Sequence, residues 1–207
     1  MQGEDETAER ASTLRAERAK RRFDLVCALL LAPILLLPAA VVAMAIRIDS
    51  RGPAVFRQTR VGRYGAPFTI YKFRTMRQGS RDIPSHLASR GQLTRIGSLL
   101  RRLKLDEIPQ LINVIRGDMS FVGPRPCLPS QAVLIEARAQ AGVMQLRPGI
   151  TGPAQIRGLD MSTPERLAAA DAEYLVRWSL RRDLELLWRT GTGAGNGDAI
   201  RSPAAHN

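Results

Sequence analysis

The sequence predicts a membrane-associated chain of mixed α and β structure. Three observations carry that prediction. An uncharged run, "LVCALLLAPILLLPAAVVAMAI", occupies residues 25–46. Short strand-type runs follow it, with a Gly-bearing turn between them. Further on, apolar residues recur at helical spacing in separate stretches. The chain has 207 residues, enough for one domain with a modest core plus an appendage.

The first residues are acidic ("GEDE") and then turn basic ("RAERAKRRFD"). Residues 1–19 read as a short, partly disordered lead-in that runs into a helix. The apolar run after it is long enough to span a hydrocarbon core of about 30 Å as a helix. Pro33 and Pro38 interrupt it, and proline removes a backbone donor and kinks a helix. Both flanks are basic, with Arg18, Lys20, Arg21 and Arg22 before the run and Arg47, Arg51, Arg57, Arg60 and Arg63 after it. Positive flanks stay in the cytoplasm, and a spanning helix satisfies only one of them. A re-entrant helix over 20–48, bent at a proline and returning to the same face, satisfies both. An ordinary single-pass anchor is the alternative. The domain after this segment is drawn over 49–190, and the tail 191–207 is flexible by composition.

In the body of the chain, Ala54–Gln58 and Pro67–Phe73 have strand character and read as a hairpin. Lys72 and Arg74 alternate with Tyr71 and Phe73, so they share one strand face. They are either a solvated pair or two cations aimed at a phosphate. Residues 76–92 hold the turn formers of a loop. In "LTRIGSLLRRLKL", Ile96, Leu99, Leu100 and Leu103 form a helical stripe, with Arg95, Arg101, Arg102 and Lys104 around the other side. Such a helix lies in a membrane interface or packs on a core.

"LKLDEIPQLINVIRGDMSFVGPRP", residues 103–126, carries the chemistry. Leu105, Ile108, Leu111, Ile112 and Ile115 repeat at helical spacing, and Gly117 is a stop signal. Asp106 falls at or near the N-cap, and Pro109 falls in the first turn. Capping alone explains an aspartate there. A helix N-terminus also attracts phosphate, and aspartate can carry a phosphoryl group covalently. Glu107 is the ligand type that magnesium takes along with phosphate and water oxygens.

Residues 146–158 read as a Gly/Pro loop with Arg147 and Arg157. One or two helices follow. Ser162 and Glu165 form a capping box, and Ala170, Tyr174 and Trp178 form a core stripe. There is no internal repeat, P-loop, GxGxxG or zinc spacing. His86 and His206 lie in a loop and in the tail, and neither reads as a catalytic base.

The totals narrow the function classes. A net charge of +12 and a pI of about 11.1 point to an anionic partner. Aromatic content is 5% with no basic–aromatic alternation, which disfavours single-stranded nucleic acid. Cys27 and Cys127 form neither a metal spacing nor a disulfide framework, so a reducing compartment fits. A basic membrane-surface adaptor without chemistry competes with an enzyme. The adjacent Asp106 and Glu107 separate the two, since an adaptor tolerates Asp106→Asn.

These pieces in this order resemble the bacterial sugar transferases, the monotopic polyprenyl-phosphate phosphoglycosyl transferases. The matching elements are "KRRFDL", "GPAVFRQTRVG", "YKFRTM", "LTRIG", "LDEIPQLINVIRGDMSFVGPRP", "RPGITGPAQ" and "ERLAAADAEYLVRWSLRRDLELLWRT", over roughly residues 20 to 190. The resemblance implies a re-entrant helix bent at a proline, with Pro38 nearest the family spacing. It implies a compact cytosolic α/β domain with interfacial amphipathic helices, held monotopically on the cytoplasmic face of the bacterial inner membrane. The implied reaction moves a sugar phosphate from a UDP-sugar to undecaprenyl phosphate and releases UMP. Asp106 is the implied nucleophile, and Glu107 helps to hold Mg²⁺. Lys72, Arg74, Arg125 and Arg147 match basic positions that bind phosphates, and Arg102 of the basic run is grouped with them. Asp171 and Tyr174 match a D-x-x-Y element near the site. A homodimer is compatible with the sequence, which does not name the sugar.

Overall fold

The computed structural model of the chain describes residues 2–79 and 92–193, with side chains from Leu14 onward. Most of the loop expected over 76–92, including His86, lies outside the described residues. So do His206 and all but the first three residues of the tail 191–207.

Helix α1 (Gln2–Asp49) is continuous and contains both Pro33 and Pro38. The lead-in 1–19 is therefore helical from Gln2, where partial disorder was expected. Its alanine, glutamate and arginine content is that of a strong helix former. Two apolar stripes run along α1. Ala28, Ala32 and Leu35 pack on one core cluster, and Ala39, Val42, Ala43 and Ile46 on another. Leu30, Ile34, Leu37, Val41, Met44 and Ile48 alternate by four and three residues on the other side and are 59–80% exposed. One stripe serves the domain along the length of the helix, and the other stays open.

Polar contacts fasten both ends of the apolar run of α1 to the same domain. Lys20 Nζ lies 2.6 Å from Asp183 Oδ2. The Arg21 guanidinium donates to the carbonyls of Val114 and Ile115 at 2.5 and 2.8 Å. At the other end, the Asp49 carboxylate accepts from the Ile96 N–H at 3.3 Å.

Strands β1 (Val55–Val61) and β2 (Pro67–Phe73) form the expected antiparallel hairpin, with Phe56 opposite Lys72. β1 runs three residues beyond its predicted end. Helix α2 (Arg95–Arg102) starts on a Thr94 cap. Of its predicted stripe, Leu100 is buried while Leu99 and Leu103 are 43% and 53% exposed. Gly97 makes the close contact instead: a Cβ there would sit 2.0 Å from the Thr75 carbonyl oxygen.

The helix expected from residue 105 is two pieces, a 3₁₀ turn (Leu105–Gln110) and helix α3 (Leu111–Arg116). Pro109 has no N–H to return to the Leu105 carbonyl, so a regular α-turn cannot form across it. Gly117 ends α3 at φ 91°, as expected.

Residues 146–158 are not simply a loop. Strand β3 (Ser120–Val122) pairs in parallel with β4 (Gly149–Thr151), inside the stretch read as Gly/Pro loop. Only glycine permits the contact beside it, because a Cβ on Gly149 would lie 2.1 Å from the Gly123 nitrogen. Helix α4 (Ala132–Gln140) lies between these strands in sequence, and the short helix α5 (Pro153–Ile156) follows β4. Two helices close the chain, α6 (Pro164–Val176) and α7 (Leu180–Gly191). The expected Ser162 cap is not formed. Pro164, with its preset φ, takes the first helical position behind Thr163, and Ser162 turns to Asp160. Ala170 and Tyr174 do enter the core.

Candidate active site

Lys104 adopts a left-handed conformation at φ 57° between α2 and the 3₁₀ turn. This reversal turns the chain back toward the hairpin, and the turn packs against β2. Asp106 is therefore not the cap that the pattern suggests. It sits inside the turn's first residues, 3% exposed, on the wall of a cavity of about 1090 Å³.

The lining of that cavity mixes charge with apolar surface. Lys72, Arg74 and Arg101 line it together with Asp106, and Arg47, Arg57, Arg60 and Arg77 add further cations. Ala40, Ala43 and Met44 from α1 and Val55 and Phe56 from β1 supply apolar lining, with Phe56 directly across the hairpin from Lys72. So, among the described residues, Asp106 is the one carboxylate on a cationic lining that α1 completes in part.

Glu107 takes a different direction from its neighbour. It lines a second, small cavity with Arg60, Lys72, Gln110 and Arg125. Its Oε1 lies 3.2 Å from Lys72 Nζ, both side chains being mostly buried. Lys72 lines both cavities.

Burial sets the protonation of this cluster against its charges. It pushes Asp106 above the usual value, Lys72 pulls it down and Glu107 pushes it up again. Burial also acts to raise Glu107, but Lys72 and Arg125 outweigh it and hold that carboxyl below the usual value. Burial lowers Lys72, against the pull of Glu107. Glu107 is thus the carboxylate kept ionised by its partners, while Asp106 is held in a less solvated state.

The other sequence-predicted residues divide. Lys72 acts on both carboxylates, and Arg125 acts on Glu107. Arg74 lines the large cavity, but its guanidinium is also spent on the carbonyls of Ser50 and Arg51, where it clamps the end of α1. Arg102 lines neither the large cavity nor the small one. Arg147 donates to the Gly117 carbonyl at 3.0 Å and neighbours Arg63 and Arg21 rather than the carboxylates. Asp171 and Tyr174 are completely enclosed. Asp171 pairs with Arg138 at 2.7 Å, and the Tyr174 hydroxyl donates to Asp183 at 2.5 Å. Those two residues organise the interior beneath the site.

Sequence reasoning passed over Arg101. It lines the large cavity, its charge acts on Asp106, and its Nε donates to Thr75 Oγ1 at 2.9 Å. The usable signal was Gly97, one turn earlier on the same helical face. A glycine pressed on Thr75 marks the side of α2 that faces the hairpin.

Among the described residues, no three His, Cys, Asp or Glu side chains gather as a metal cage. Asp106 and Glu107 line different cavities, so of the two only Glu107, of the ligand type that magnesium takes along with phosphate and water oxygens, is left to hold such an ion.

The sequence profile of the bacterial sugar transferases matches residues 15–195. The chain is 46% identical over 184 residues to a UDP-glucose:undecaprenyl-phosphate glucose-1-phosphate transferase of Caulobacter vibrioides, an alignment covering 83% of this chain and 67% of that protein. It is 36% identical over 190 residues to an exopolysaccharide production protein of Sinorhizobium fredii, covering 83% of each. A UDP-glucose:undecaprenyl-phosphate glucose-1-phosphate transferase of Escherichia coli is 36% identical over 184 residues, and the match spans 83% of this chain and 39% of that relative.

Proposed function

The chain belongs to the bacterial sugar transferase family, and on that premise we propose that it transfers a sugar 1-phosphate from a UDP-sugar to undecaprenyl phosphate. The observation that carries this reading is Asp106 in a cationic cavity whose lining includes apolar residues of helix α1. A diphosphate donor suits the cations, and a lipid phosphate suits the apolar residues beside them.

In the proposed first step, a carboxylate oxygen of Asp106 attacks the phosphorus that bears the sugar. The bond from that phosphorus to the UMP oxygen breaks, UMP leaves, and a phosphosugar-aspartate forms. An oxygen of undecaprenyl phosphate then attacks the same phosphorus. The aspartyl–phosphorus bond breaks, the Asp106 carboxylate is restored, and the sugar leaves on the lipid diphosphate. Phosphoryl transfer of this kind depends chiefly on position and charge neutralisation. Lys72, Arg101 and Arg125 supply the charge. Glu107, ionised beside them, is the residue to hold Mg²⁺, which would neutralise the diphosphate.

The proposed location is the cytoplasmic face of the inner membrane, with α1 entering the bilayer and not crossing it. Its support is that a single domain holds Lys20 at one end of the apolar run and Asp49 at the other. One folded domain cannot stand on both sides of a bilayer. The exposed stripe from Leu30 to Ile48 is the part that lipid would cover. A bend near Pro38 belongs to the same proposal.

The test is UMP release by protein in nanodiscs, given a panel of UDP-sugars, Mg²⁺ and undecaprenyl phosphate, with Asp106→Asn in parallel. Release that requires one sugar, the lipid phosphate and Asp106 is expected. Release that survives Asp106→Asn would overturn the covalent route.

A further inference from the structure

Pro124 and Pro126 leave the loop at 123–126 with few backbone donors of its own, so its carbonyls are satisfied from outside. The Pro124 carbonyl accepts from the Gly149 N–H at 2.8 Å, and the carbonyls of the next three residues are held too. The Arg125 carbonyl accepts from Arg138 Nη1 at 2.8 Å, the Pro126 carbonyl from Arg60 Nη1 at 3.1 Å, and the Cys127 carbonyl from the Val61 N–H at 3.0 Å. Arg60 and Val61 belong to the hairpin, whereas Arg138 is on α4.

Arg138 is 3% exposed, and its remaining contacts fix its plane. Nε and Nη2 both donate to Asp171 Oδ2, at 3.0 and 2.7 Å. The guanidinium is rigid and planar, so two bonds to Asp171 dictate where Nη1 points. Asp171 is itself 0% exposed on α6, whose Leu167, Ala168 and Ala170 are core residues. The chain of contacts runs from a rigid helix through one guanidinium to the backbone of Arg125. The Arg125 side chain then lines the cavity of Glu107 and Lys72.

We propose that Asp171, acting through Arg138, positions Arg125 for phosphate binding during the transfer. This rests on the reaction proposed above. A buried ion pair is a poor stabilising device, since well-packed apolar residues of similar volume do as well or better. What an apolar pair could not do is donate to the Arg125 carbonyl. Asp171 and Arg138 are thus positioning residues that touch no substrate.

The test combines activity and amide exchange. Arg138→Lys keeps the charge opposite Asp171 but loses the fork that reaches Arg125. It should remain folded and lose roughly 10- to 100-fold in transfer rate, the range seen when supporting residues of a site are removed. In an Arg125→Ala background the same change should cost less than about twofold, because its target is gone. Hydrogen–deuterium exchange should rise over residues 121–131 in Arg138→Lys. Asp171→Asn should reproduce both effects, and Arg138→Lys alone carries the test if that protein does not fold. Additive losses in the double variant, or unchanged exchange over 121–131, would overturn the positioning role. If the unaltered chain transfers from no donor, the reaction reading fails, and the exchange measurement alone decides the positioning.

Discussion

Lys72 stands between the two acidic residues of the site: its ammonium lies 3.2 Å from the Glu107 carboxylate and lines the same cavity as Asp106. Both Lys72 and Glu107 are largely removed from water, so neither is well solvated without the other. Lys72→Met should destabilise the fold by ~2 kcal/mol, below the full cost of orphaning a buried charge because Arg125 remains beside Glu107. Denaturant unfolding in detergent measures it, and a loss under ~0.5 kcal/mol would mean the pair is solvated like a surface bridge.

Asp106 should show the opposite relation between stability and activity. Asp106→Asn is expected to lower transfer at least about 1,000-fold, as removal of a nucleophile does. Yet it should melt at the same temperature as the unaltered chain or above it. Burial raises the carboxyl in the folded state above its usual 3.8. The folded chain therefore binds that proton more tightly than the unfolded chain does. The stability that Asp106 contributes is full below 3.8 and falls as pH rises through the folded value. In EDTA, the stability advantage of Asp106→Asn should grow as pH rises above 3.8. An advantage that shrinks over that range would contradict the buried setting of Asp106.

Arg101 and Arg102 are neighbours on α2 with different surroundings. Arg101→Gln should reduce transfer roughly 10- to 100-fold, since it removes a fixed charge-assisted donor from the cavity that holds Asp106. Arg102→Gln should stay within about threefold, as expected of a charge outside the cavity. Steady-state rates of the two variants side by side decide it. Equal losses would show that the two arginines act as one basic patch.

Gly97→Ala tests the α2–hairpin contact. Its added methyl meets the Thr75 backbone at 2.0 Å, so α2 must move away. Overpacking of this kind costs about 1–3 kcal/mol, and Arg101 would leave Asp106 with the helix. Expected results are a lowered melting temperature and an activity loss like that of Arg101→Gln. Gly97→Ala with unchanged melting would mean that the close approach is not maintained.

Much of this protein was legible in one dimension. The apolar run, the hairpin and the helical character of the closing stretch follow from hydrophobic period and length, whereas its division into α6 and α7 was left open. The adjacent carboxylates among arginines marked Asp106 and Glu107 without any coordinates. Gly117 ended its helix where the pattern put it. Pro109 sat in the sequence too, but its effect, a 3₁₀ turn in place of a regular helix, depends on hydrogen bonds that periodicity does not count.

Only the tertiary structure decided the rest, because each remaining feature depends on contacts distant in sequence. β3 and β4 have three residues each, too few to show an alternation, and they pair across α4. Arg101 rather than Arg102 faces Asp106 because Gly97 lets α2 press on Thr75. Asp171 and Tyr174 match a motif near a site, but burial assigns them to the frame behind it. Local pattern determined which residue types this chain could bring to phosphate chemistry. Packing determined which of them face the same cavity.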